Sequence, residues 1–235
     1  MTARRPVLVL ALIASSLAGS ALAATGVTRI PARAPAPPET RLGFSLGADA
    51  GLGGEMSLTF DRFAEGLPAA ARIAVGYRSL SPGDPLAARH VFINNNTNGT
   101  PTKTGRRWDY RLDAVWQPDL ARNLWVACGP RYSSFTGEFD FVGGNEFFAV
   151  HTHQWGLGAS AESRFPVGWR ALLVLGAGLD FYTRATLQGH DTSYSPDGSA
   201  VNPHEVYTYA DADAAINQPR WAPRLTMGVE YPFGH

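Results

Sequence analysis

The chain has 235 residues, enough for one domain, with 20 Lys+Arg against 20 Asp+Glu and a single cysteine. Balanced charge argues against nucleic acid as a partner, and a lone Cys128 excludes an internal disulfide. After the N-terminal segment no run of about 18 apolar residues occurs, which argues against a helical membrane protein.

Residues 1–23 read as a secretory signal peptide. Arg4 and Arg5 make a basic start, an apolar stretch follows, and Ala21-Leu22-Ala23 forms a small-residue cleavage site. The apolar run is too short for a transmembrane helix. Residues 24–41, rich in proline and alanine, read as an extended and unpacked lead-in. Without the two signal arginines the remainder carries 18 basic against 20 acidic groups, slightly acidic. Cys128 is expected to serve as a small apolar packing residue, not as a reactive thiol.

From residue 42 the pattern changes to alternation, the mark of strands with two unlike faces. The segments are 42–50, 55–62, 71–79, 107–117, a less regular 124–134, 154–164, 171–184 and 221–233. In 107–117, for example, Trp108, Tyr110, Leu112, Ala114 and Trp116 oppose Asp109, Arg111 and Asp113. Eight strands are expected. Residues 51–54 read as a glycine turn, and 63–68, 118–123 and 165–168 as further short turns. Long polar loops are expected over 81–105 and 187–219, with a tight one at 142–145. The asparagines of 91–103 suit turns. In the second long loop Tyr194, Tyr207 and Tyr209 lie among acids, and the segment is expected to cover one mouth of the fold.

Periodicity alone does not say which face is inside, and a lipocalin-like soluble barrel would bury the apolar one. Three features point the other way. Glycines 47, 76, 129, 156, 158, 176, 178 and 228 share the polar face, where a narrow lumen is crowded. That face also carries Asp49, Glu55, Asp61, Asp109, Asp113, Glu162, Asp180 and Glu230 against Arg72, Arg78, Arg111, Arg131, Arg184 and Arg224. Mixed charge of this kind suits a core of ion pairs, since buried charges need partners. Finally, Trp108, Trp116, Tyr132, Trp155, Trp221 and Tyr231 stand near segment ends on the apolar face, where lipid–water interfaces place aromatics.

One hairpin merits a search for chemistry. If residues 133–140 and 146–153 close simply, facing residue numbers sum to about 287. Ser134 then opposes His153 and Thr136 opposes His151 on the outward face, with Glu138 and Asp140 further along. Phe135, Phe139, Phe141, Phe148 and Val150 turn inward, so polarity reverses and the hairpin is expected to stand clear of the lipid. Ser134 with His153 or His151 and Glu138 has the makings of a nucleophile, base and orienting acid. His151 and His153 could instead share a metal with Glu138 or Asp140. The plain alternative is interfacial histidines touching headgroups, and neither a metal nor another cofactor is expected.

The final segment, 221–233, alternates without interruption, and within it Thr226-x-Gly228-x-x-Tyr231-x-Phe233 stands out. This resembles the C-terminal insertion signal of bacterial outer-membrane β-barrels, a polar residue, a glycine and two aromatics at fixed spacing. Those proteins usually stop at the last aromatic, whereas Gly234 and His235 follow here. The whole chain resembles the small eight-stranded OmpA/OmpX type. The resemblance implies an all-β, eight-stranded antiparallel up-and-down transmembrane barrel over 42–235, in the outer membrane, with the lead-in on the periplasmic side. It further implies a monomer in contact with outer-membrane lipids, lipopolysaccharide and the barrel-assembly machinery. A lumen filled by long paired side chains argues for a structural or surface-interaction role through the loops. The alternatives are a lipid A-modifying hydrolase at the outer rim, since the outward Ser–His–acid set resembles that of lipid A deacylases, and a narrow solute channel.

Overall fold

In the computed structural model the described residues are 39–61, 69–85, 100–119, 123–142, 146–168, 170–183, 188–193, 216 and 220–233. The signal peptide, most of the lead-in, residues 62–68, most of both long loops and Arg184 lie outside them. Residues 38–235 form one compact unit.

The strands are β1 (Thr40–Ala48), β2 (Gly51–Phe60), β3 (Ala70–Leu80), β4 (Thr100–Trp116), β5 (Leu124–Val142), β6 (Glu146–Val167), β7 (Ala171–Tyr182), β8 (Gln188–Ser193) and β9 (Trp221–Phe233). Each pairs antiparallel with its neighbour in order from β1 to β7. β9 joins β7 to β1 and so closes an eight-stranded up-and-down barrel. Closure removes the unpaired strand edges that hydrocarbon could not solvate.

Several boundaries differ from the sequence reading. The glycines of 51–54 belong to β2, and the turn is made by Asp49 and Ala50, the latter at φ 52°. β1 starts at Thr40, inside the expected lead-in. Residues 100–105, expected as loop, extend β4, and 188–193 form the unexpected β8, which pairs with the upper end of β6 (Glu146↔Ser193 to His151↔Gln188). β6 also runs through Val167, and its turn to β7 includes Gly168 at φ 67°, a conformation glycine adopts without strain.

The β5–β6 pairing holds a single register from Leu124↔Ser163 to Asp140↔Phe147. Ser134↔His153 and Thr136↔His151 face each other as the residue sum of 287 predicts. Between β4 and β5 the pairing lapses at Leu112 and Asp113, opposite Pro130 and Gly129, between the pairs Arg111↔Arg131 and Ala114↔Cys128. Proline has no N–H to donate, so a gap in the ladder is expected there.

Side-chain direction is inverted relative to a water-soluble barrel. Leu112, Leu175 and Met227 are 51%, 41% and 59% exposed, while Arg111, Asp180 and Glu230 are 5%, 2% and 4% exposed. Cys128, expected as a packing residue, is exposed on the outer face beside Ala114 and Ala159. The lipocalin-like alternative fails on this point.

Candidate functional site

The interior is the most organised part of the molecule. Eight arginines (41, 72, 78, 107, 111, 131, 164, 224) meet eight carboxylates (49, 55, 61, 109, 113, 162, 180, 230) in inward ion pairs among the described residues. Nine of these groups form one unbroken chain of alternating sign. It begins with Asp61 on Arg41, continues to Glu230 at 3.7 Å and to Arg164 at 3.6 Å, then to Glu162 at 3.3 Å. Arg72 takes it on from Glu162 at 2.7 Å to Asp113 at 3.3 Å, and Arg131 from Asp113 at 2.7 Å to Asp180 at 2.8 Å.

Two smaller groups complete the interior. Glu55 sits among Arg111, Arg78 and Arg224. Near the other mouth Arg107 holds Asp49 at 2.5 Å and Asp109 at 3.0 Å, and the Tyr182 hydroxyl donates to Asp109 at 3.4 Å. A buried charge left alone would cost several kcal/mol, so alternation of sign is the condition for filling a lumen this way. Period-two spacing delivers it, since inward residues alternate along every strand and registers set arginine beside acid. Arg72 and Asp113, for instance, are direct cross-strand partners.

Three lumen arginines escape the sequence reading. Arg107 and Arg164 have the parity of Asp109 and Glu162 and stand one step beyond the residues picked out on their strands. Arg41 falls within the expected lead-in. Extending each alternation outward by one or two residues finds all three. At the same end as Arg41, the Trp125 ring lies under Arg164 at 4.2 Å and Arg41 at 5.6 Å and packs on Ala70, Val115 and Ala127. In the other direction Phe135, Phe139 and Val150 are buried on the inner face of the β5–β6 extension. The cavity found between Glu55, Arg72, Arg111, Arg224 and Glu230 is about 30 Å³.

The outer face is an apolar belt with aromatic rims. One rim contains Tyr77 against Trp108 at 5.0 Å, Tyr132 against Trp155 at 4.9 Å and Phe181 against Trp221 at 4.7 Å. The other contains Phe60, Tyr231 and Phe233. From Trp221 to Phe233 a strand rising ~3.3 Å per residue and tilted ~40° spans ~30 Å along the membrane normal, the thickness of the hydrocarbon layer. Within the expected insertion signal Tyr231 and Phe233 point outward, and Gly228 faces inward, packed closely on Phe44 and Ser45.

Above the first rim, the outward faces of β4, β5 and β6 carry Arg106, Ser134, Thr136, Glu138, His151 and His153. Ser134 is opposite His153, but the His153 ring stacks on Tyr132 at 6.0 Å with planes 6° apart. His151 Nδ1 is hydrogen-bonded to the Thr136 hydroxyl at 3.1 Å. Glu138 accepts from Arg106 at 2.9 Å and from the Thr104 hydroxyl at 3.2 Å. Ser134 thus faces His153 across the ladder while Glu138 stands four residues further along β5, and the candidate bases and the acid hold other partners. Burial among its neighbours lowers the His151 pKa, Glu138 opposes that shift, and Arg106 and His153 add to it. Among the described residues no three His, Cys, Asp or Glu side chains gather as a metal site.

No protein-family model and no curated protein matches the sequence. Among solved structures, the chain is similar to a major outer membrane protein from Thermus thermophilus, with TM-score 0.69 and 21% identity over 84% of this chain and 100% of that one. Acinetobacter baumannii CarO (TM-score 0.39, 15% identity, 84% and 98% covered) and Neisserial surface protein A (0.38, 13%, 83% and 96%) overlay too loosely to support an argument. With its closed antiparallel wall, oily exterior and charged packed interior, the chain has the fold of a small eight-stranded outer-membrane β-barrel.

Proposed function

We propose that this chain is an integral outer-membrane protein of the non-porin kind, with a structural or surface-contact role carried by the segments that stand above the lipid. The lumen supports this reading most directly. Its arginines and carboxylates are paired among the described residues, and a void between Glu55, Arg72, Arg111 and Arg224 is about 30 Å³, space for one water. The part that projects beyond the aromatic rim is built on the upper ends of β4, β5 and β6 with β8, and surface contact falls to it. In this reading outer-membrane lipids and lipopolysaccharide surround the belt, assembly machinery reads residues 226–233, and the barrel acts as a monomer.

Planar-bilayer recording tests the proposal. Folded protein inserted in the bilayer is expected to pass no steady current, and reproducible single-channel conductance would overturn the plugged-lumen reading.

A further inference from the structure

The lipid-facing surface contains a hollow. A groove of about 730 Å³ opens across β9, β1, β2, β3 and the edge of β4, lined by Phe44, Leu46, Met56, Tyr77, Trp108 and Met227. Gly54 helps to create it. The outward positions of β2 are Leu52, Gly54, Met56, Leu58 and Phe60, so position 54 alone of these lacks a side chain. Packing does not demand glycine there, since a Cβ would find its nearest neighbours at 3.6 Å, ordinary contact with Leu46 and Ser45. The inward Gly53 differs, because a Cβ would lie 1.9 Å from the Tyr77 carbonyl oxygen. Gly54 also has no positive φ that would call for glycine. The open space is what the residue contributes.

The groove is continuous with the apolar belt, so what fills it is hydrocarbon. Its upper lip is the Tyr77–Trp108 pair of the aromatic rim. Directly above that lip stands the cross-strand pair Ser79↔Arg106. The Arg106 side chain is 52% exposed, and its Nη2 meets Glu138 at 2.9 Å. A guanidinium has five N–H donors, so a phosphate can share it with that carboxylate.

We propose that the groove holds one acyl chain of a phosphate-bearing lipid, with the phosphate at Arg106 and Ser79 and the tail against Phe44, Met56 and Met227. This rests on the outer-membrane reading, with the rim at Trp108 in the outer leaflet.

Native mass spectrometry of the full folded chain, released from detergent with added phosphatidylglycerol or with diacylglycerol of the same chains, tests it. The unaltered protein is expected to keep one phosphatidylglycerol in preference to diacylglycerol. Gly54→Leu should weaken that binding by about tenfold, the worth of roughly two buried methylenes. Arg106→Gln, which lies above the lipid and outside the barrel packing, should bind both lipids alike. Unchanged retention in Gly54→Leu, or unchanged headgroup preference in Arg106→Gln, would overturn the proposal. So would a dimer that Gly54→Leu dissolves, which would give the groove to a second copy. Heat-modifiable gel mobility is measured first on each protein. Its absence in the unaltered chain would break the membrane reading, whereas its presence with no lipid held breaks only the groove.

Discussion

Arg131 ties three strands together through the centre of the barrel. From β5 it reaches Asp113 on β4 and Asp180 on β7, and its Nη1 also donates to the carbonyls of Gly129 and Pro130 at 3.1 Å each. It therefore reinforces the wall beside the place where proline interrupts the ladder. Arg131→Met would take from Asp180 its ion-pair partner and leave Asp113 with Arg72 alone, and is expected to cost about 3–5 kcal/mol. Urea unfolding in lipid vesicles measures this, and unchanged stability would remove Arg131 from its place as a strut. His151 gives the second prediction at this scale. Its pKa lies below the ordinary 6.5, so the folded hairpin prefers the neutral ring. Its contribution to stability is then complete above 6.5 and declines as pH falls through the folded value. An NMR titration should place the His151 midpoint below that of a free histidine, and a midpoint at or above 6.5 would contradict the burial argument. Residue identity alone locates most of the lumen set, because parity on a strand is strict. It does not foresee that Tyr132 takes the His153 ring or that Arg106 engages Glu138, since both contacts depend on neighbouring strands.

Strands reveal themselves in sequence only where lipid on one side and a packed lumen on the other select opposite residue types. That holds for the membrane-spanning parts of β3, β4, β6, β7 and β9, whose alternation is plain. It fails for residues 100–105, where Thr-Pro-Thr-Lys-Thr-Gly extends β4 above the rim with no oily face to impose a period. It fails likewise for β8, Gln-Gly-His-Asp-Thr-Ser, which is held by main-chain pairing with β6. Glycine can mislead in the same way. Residues 51–54 resemble a turn by composition, yet Gly51 and Gly53 are strand residues whose small size lets β3 approach closely. Gly158 on β6 shows the constraint at its tightest, since a Cβ there would lie 1.8 Å from Asp180 Oδ1 and 2.5 Å from Arg131 Nε. Gly158→Ala must displace that ion pair and is expected to destabilise the barrel by about 1–3 kcal/mol. Equal urea midpoints for Gly158→Ala and the unaltered protein would refute this.

At the scale of the whole barrel, the eight positive and eight negative inward groups among the described residues cancel. On the plugged-lumen proposal an entering ion would meet no uncompensated attraction among these groups, which is why silence in the planar bilayer is expected. The inside-out character is legible because charge balance, inward glycines and rim aromatics agree, and only a hydrocarbon solvent satisfies all three. What acts at the surface is less legible, since that region answers to water and to its own loops. Cys128 adds one last consequence. Being the sole thiol, and aimed at the fatty-acyl region from the midst of the wall, it equips the protein with a built-in depth gauge. A dye coupled there would sense the oily phase, while the polar interior and the aqueous exterior stay dark to it.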